Sequence, residues 1–76
     1  MDIADFLEKF ADDFGCGRDE ISAGTRFREL SGWTSLQALM TLSMIEEEFG
    51  VLLKSDDFKR SETLGDLFAI VAARKK

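Results

Sequence analysis

The sequence predicts an all-α domain, a small four-helix bundle of three main helices plus one short helix, with a long first loop. Three observations carry that expectation. Proline is absent and glycine is confined to six positions, while Ala, Leu, Glu, Lys and Met, all good helix formers, are common. Apolar residues recur at helical spacing in three separate stretches. Glycine or a small polar residue stands where each stretch should stop or start.

The first helix is expected over about residues 2–14, where Ile3, Phe6, Leu7, Phe10 and Phe14 form an amphipathic stripe. Gly15 ends it, because glycine takes the left-handed conformation past the last turn without steric cost. A long connection runs from there to about Trp33. So long a stretch without structure is unusual in a compact domain, so it should be pinned by Ile21, Phe27 and Leu30, with a short turn near Arg26 to Leu30.

The second helix is expected from about Ser35 to Phe49, ending at Gly50. Thr34 and Gln37 have capping-box spacing, in which Thr34 caps the first turn and Gln37 reaches back to the cap amide. Ser55, Asp56 and Asp57 mark a brief third helix around Asp57 to Arg60, after a Val51-Leu52-Leu53 segment that should plug the core. The last helix starts at Thr63, with Asp66 completing a short-armed capping box, and buries Leu64, Leu67, Phe68 and Val71. Arg74, Lys75 and Lys76 suit the negative end of its dipole.

Seventy-six residues make one domain, 1–76, with no room for a separate substrate domain or lid. Seven Phe and one Trp supply a single core, and the usual per-residue range gives a stability of roughly 4–11 kcal/mol. The net charge is −5. All the acidic residues precede position 67, while three of the bases close the chain. Such an anionic body repels nucleic acid and anionic membranes and attracts basic protein surfaces. No apolar run approaches the ~20 residues that cross a bilayer, and the acidic start lacks the basic region of a signal peptide. The expectation is a cytoplasmic monomer with basic protein partners.

With no histidine and one cysteine, the chain cannot form an internal disulfide, a Ser-His-Asp triad or an imidazole metal site. Cys16, within Gly15-Cys16-Gly17, reads as a loop cysteine with no base to activate it. No acid, base and nucleophile set can be assembled, so an enzyme is not expected.

The second helix carries the informative pattern. At about 100° per residue, Ala38, Leu39, Leu42, Ile45 and Phe49 share a face and are expected to form the core stripe. Leu36, Met40 and Met44 fall away from it, beside Ser43 and Glu47. Two readings stay open: a docking surface of adaptable apolar side chains rimmed by charge, or a strip covered by the preceding loop. Glu46, Glu47 and Glu48 crowd a helix end that is already negative, at a cost of about a few tenths of a kcal/mol each. They form either a solvated face or a target for a partner's Arg and Lys. Ser35 occupies the first helical position, with its hydroxyl toward solvent and free backbone amides around it. A phosphodiester on that hydroxyl would be favoured by about 0.3–1 kcal/mol. Taken alone, a serine beside a threonine at a helix start is ordinary capping chemistry.

Gly32-Trp33-Thr34-Ser35-Leu36, then Ile45-Glu46-Glu47-Glu48-Phe49-Gly50-Val51, then Glu62-Thr63-Leu64-Gly65-Asp66-Leu67 together resemble the acyl carrier proteins. The likeness covers nearly the whole chain, including the first helix and the loop with Phe27-Arg28-Glu29-Leu30. It implies a bundle of acyl carrier protein type. It also implies that Ser35 receives 4'-phosphopantetheine from coenzyme A, through a magnesium-dependent phosphopantetheinyl transferase. The arm's thiol would then carry acyl or aminoacyl groups between enzymes that load and transfer them. Leu36, Glu46 and Glu47 match positions that partner enzymes grip. The chain departs from the family at Thr34, where Asp is usual, which removes a negative contact to the modifying enzyme. Gln37 and Met40 replace residues that are commonly acidic, making the docking face greasier and pointing to specialised partners over the general fatty acid machinery. The alternative is a carrier-like module that docks through Leu36, Met40, Met44 and Glu47 and is never modified.

Overall fold

The computed structural model describes residues 2–75. Four helices follow in order: α1 (Ile3–Phe14), α2 (Ser35–Phe49), α3 (Ser55–Lys59) and α4 (Leu64–Arg74). Among the described residues there is no strand, only an isolated bridge between Arg26 and Thr63. Phe6, Phe10, Phe27, Ile45, Leu64, Leu67 and Val71 are fully buried. Helix α1 packs on α2 and α4, and α3 lies against α4.

The helix ends follow the local chemistry. Asp2 caps α1 by accepting the Ala4 amide at 3.1 Å. Gly15 (φ 88°) and Gly50 (φ 68°) stop α1 and α2 in the left-handed region that side chains other than glycine seldom enter. Thr63 and Asp66 close a full capping box on α4, where the Asp66 carboxylate accepts the amides of Glu62 at 3.0 Å and Thr63 at 3.1 Å. Those donors hold its carboxyl below the ordinary carboxylate range. Val51 and Leu53 plug the core as expected, but Leu52 between them faces outward at 68% exposure, because successive side chains of an extended segment alternate in direction. Phe68 is half-buried rather than buried. Lys76, counted with the basic end of the last helix, lies outside the described residues.

The short helix α3 begins at Ser55, two residues before the expected start. The reason is that Asp57 works as a backward-reaching cap. Its carboxylate accepts the Lys54 amide at 2.8 Å while Arg74 donates to both its oxygens at 2.6 and 2.8 Å. Asp57 is buried, and this pairing with Arg74 holds its carboxyl down at about 2. Helix α3 is thereby fastened to the end of α4.

The long loop is pinned by Ile21 and Phe27, both buried, and by the half-buried Leu30. The expected turn is a 3₁₀ turn at Phe27–Glu29, and a second one occupies Arg18–Glu20. Two further ties are visible only in three dimensions. The amides of Leu64 and Gly65 donate to the carbonyls of Thr25 and Ala23 at 3.0 and 2.8 Å. Arg28, its guanidinium 5.0 Å from the Phe27 ring centre, donates to the carbonyls of Phe58 at 2.7 Å and Ser61 at 2.5 Å.

Candidate functional site

The site is built where the long loop meets α2. Trp33 is half-buried within a cluster of aromatic rings, with centroids 5.2 Å from Phe27, 6.2 Å from both Phe10 and Phe14, and 6.4 Å from Phe58. An anchor of this size fixes the backbone immediately before the helix. Thr34 then caps α2, its hydroxyl accepting the Gln37 amide at 3.1 Å. Ser35 follows as the first helical residue and is exposed.

The amides of Ser35 and Leu36 precede the first intrahelical bond, which runs from Ala38 to the Thr34 carbonyl at 3.1 Å. No carboxylate stands in the first turn of α2. An anion bonded to the Ser35 oxygen therefore meets the positive end of the helix with no acidic side chain in that turn to oppose it.

The capping box expected of Thr34 and Gln37 is only half formed. Thr34 caps, but the Gln37 amide group turns away to donate to Asp13 at 3.0 Å and Thr41 at 3.2 Å. Thr41 is fully buried, and its hydroxyl reaches the same Asp13 oxygen at 3.5 Å. This clasp joins the end of α1 to the start of α2, and it rotates α2 from the orientation the apolar pattern suggests. The buried arc is Thr41, Met44, Ile45 and Phe49, flanked by half-buried Gln37, Ala38 and Leu42.

Two assignments change as a result. Leu39, expected in the core stripe, is 61% exposed, and Met44, expected on the docking face, is 8% exposed and part of the core. The polar Thr41 takes a core place because Asp13 and Gln37 satisfy its hydroxyl, so apolar Leu39 is turned out. Leu36 at 65% and Met40 at 44% remain on the open face. Leu36, Leu39, Met40, Ser43, Glu46 and Glu47 are all outward, three or four residues apart along one side of the helix. The preceding loop does not cover this strip.

Of the three consecutive glutamates, Glu48 is paired with Lys9 at 3.2 Å, which raises the lysine's pKa. Among the described residues Glu46 and Glu47 have no ion pair. The exposed strip thus ends in two uncompensated carboxylates.

On another side of Ser35 a groove of about 410 Å³ opens between the end of α1 and the loop, lined by Phe14, Cys16, Ile21, Leu30, Ser31 and Gln37. Cys16 is a free thiol, and partial burial pushes its pKa up. No local pattern marks this groove, because its walls come from separate stretches of the chain.

Residues 4–71 match the family model described as a phosphopantetheine attachment site. No curated protein matches the sequence.

Proposed function

Because the chain belongs to the family of phosphopantetheine-carrying proteins, the acyl carrier family, we propose that Ser35 is the residue to which the arm is joined and that the protein carries acyl or aminoacyl groups on it. Members of this family hold 4'-phosphopantetheine covalently, and the bound arm supplies a terminal thiol that forms thioesters. The observation that carries the assignment to Ser35 is its place as an exposed first residue of a capped helix with no acid in the first turn. A phosphodiester fits that position.

The residues around Ser35 do the rest. Thr34 caps the helix and Trp33 anchors the chain before it, so the hydroxyl is presented on rigid backbone. No side chain of the first turn of α2 is acidic or basic, and in this reading the proton of Ser35 passes to a base of the modifying enzyme. In the transfer the Ser35 oxygen forms a new bond to the phosphorus that bears the pantetheine, the pyrophosphate link of coenzyme A breaks, and adenosine 3',5'-bisphosphate leaves with the other phosphate. We read the chain as a carrier without catalysis of its own, loaded by a phosphopantetheinyl transferase.

Partner enzymes that load and transfer acyl groups dock on the open face of α2. Leu36, Leu39 and Met40 provide apolar contact, and Glu46 and Glu47 attract basic surfaces over distances comparable to the Debye length of about 8 Å at physiological salt. Leu39 takes the place the sequence pattern had given to Met44.

Intact-mass measurement tests the attachment. Incubation with coenzyme A, magnesium and a broadly specific phosphopantetheinyl transferase should add one phosphopantetheine to the wild-type protein and none to Ser35→Ala. A mass gain that survives Ser35→Ala, or no gain with any transferase, refutes the assignment.

A further inference from the structure

We infer that two copies of this chain pair reversibly through the last turn of α2 and the basic end of the bundle beside it, so that part of the α2 docking face is covered when the protein is concentrated. The inference extends the reading of that face as a docking surface and departs from the monomer expected from the sequence. Charge is sorted within the fold. Residues 52–60 and 74–75 hold five of the chain's ten bases and only two of its fifteen acids. They come together because Arg74 donates to Asp57 on α3 while Lys75 donates to the Phe49 carbonyl at 2.9 Å. Lys54 and Lys59 are exposed and have no ion pair among the described residues. Leu52 and Lys54 alternate with the buried Val51 and Leu53, so both face outward, and Leu52 is an exposed apolar side chain beside a base.

A second copy supplies what each patch lacks. Glu46 and Glu47, on the strip with exposed Leu39 and Met40, have no ion pair among the described residues, although the bond from Lys75 to Phe49 brings the basic end to the last turn of the same helix. Adjoining patches of opposite sign become self-complementary under a two-fold axis. Glu46 and Glu47 of each copy then meet Lys54 and Lys59 of the other, with Leu52 against the apolar part of the opposing strip. A two-fold contact closes on itself and stops at a dimer. Net charge does not prevent it. The bundle measures 32 × 23 × 20 Å, so the centres of two copies stand more than two Debye lengths of about 8 Å apart, whereas the opposed side chains touch. An anionic bilayer or nucleic acid fits this end less well, because its extended charge would also press against Glu46, Glu47 and Glu48. Ser35 lies about 18 Å up the helix from Glu47, so the attachment end stays open.

Sedimentation velocity of the apo protein tests the pairing. With a Kd of about 0.3 mM at physiological salt, suited to so small a contact, about two-thirds of the chains are paired at 1 mM and under about a tenth at 10 μM. Raising the salt to about 1 M, where the Debye length is about 3 Å, should weaken the pairing at least about fivefold. Amide resonances of residues 46–54 and 59 should move with concentration while those of Ser35 and Leu36 stay. The double variants Glu46→Lys with Glu47→Lys, and Lys54→Glu with Lys59→Glu, change exposed side chains only and should each be monomeric at 1 mM. Mixed in equal amounts they should pair again, and since both remain anionic overall, restored pairing reports matched patches and not net charge. A wild-type monomer at every concentration, pairing that survives either double reversal, or no pairing in the mixture overturns the dimer. So does retention of wild type, but not of Lys54→Glu with Lys59→Glu, on phosphatidylglycerol vesicles without self-association. None of these results touches enzyme docking on the strip, which Glu47→Lys tests separately through association kinetics with a partner enzyme.

Discussion

Replacing Asp57 by Asn should cost about 2 kcal/mol at neutral pH, and the loss should shrink in acid. Asp57 is buried at 2% exposure, and Arg74 and the Lys54 amide hold its carboxyl at about 2 against an ordinary 3.8. A folded pKa below the unfolded one means that the unfolded chain binds more protons between those values, so stability rises with pH there. The contribution is complete above the unfolded pKa and disappears as pH falls through the folded one. Worked through the linkage relation, it is roughly 2 kcal/mol above pH 5, about 1 kcal/mol near pH 3 and under about half a kcal/mol at pH 2. The neutral-pH value is a substantial part of the ~4–11 kcal/mol expected for the whole domain. It corresponds to a fall in Tm of about 8–16 °C for a chain of this size. Urea denaturation of wild type and Asp57→Asn at pH 7 and pH 3 provides the measurement. A gap of the same size at both pH values, or one below about half a kcal/mol at pH 7, would show that Asp57 is not held by charge.

Other variants test the packing and the site. Phe49 is 8% exposed and packs tilted against Phe6 with ring centres 5.8 Å apart, so Phe49→Ala should lower stability by about 3–5 kcal/mol in a thermal melt. Met40→Glu, on the exposed strip, should leave the melt nearly unchanged but speed dissociation from a native partner enzyme, whereas Met44→Glu should destabilise the fold by burying a carboxylate. If both variants melt alike, the rotation of α2 is wrong. Thr34→Asp should be modified faster than wild type at similar stability, since Thr and Asp both cap helices; equal rates would show that the residue before Ser35 carries no contact for that transferase. Glu47→Lys should mainly slow association, with an effect that fades as salt rises, which stopped-flow kinetics across a salt series can resolve.

The helices were legible because their signals are local. The stripe from Ile3 to Phe14, the glycines at 15 and 50 and the Thr63–Asp66 pair each depend on residues within a few positions, and each stands where the pattern put it. The orientation of α2 was not legible in the same way. Counting apolar residues favours a stripe through Leu39, whereas the actual rotation is set by a clasp whose members, Asp13, Gln37 and Thr41, belong to two helices. A signal was present: Gln37 and Thr41 lie one turn apart on one side of α2, a polar pair that needs a further polar partner, here Asp13, once that side is buried. Its partner's position could not be read from the sequence. The Arg28 ties to Phe58 and Ser61 escaped for the same reason, since a bond spanning 30 or more residues leaves no periodic trace.

These long-range ties explain how a domain this small can keep a long loop and still present a serine on firm backbone. Loop closure costs entropy that grows only slowly with length, so the loop's length is a lesser burden than its freedom to move. The bridge at Arg26 and Thr63, the amides of Leu64 and Gly65 on the Thr25 and Ala23 carbonyls, and Arg28 on α3 remove that freedom at the middle of the loop, and the ring cluster around Trp33 removes it at the end. The structure therefore divides the surroundings of Ser35 by purpose. Behind it lies a packed aromatic support. To one side runs an apolar strip that ends in Glu46 and Glu47, which have no ion pair among the described residues, an arrangement suited to transient partners because charge governs encounter while a modest apolar area governs release. A carrier has to let go of every enzyme it meets, and an arrangement that keeps the apolar strip small makes release from each partner easier than a single large pocket would.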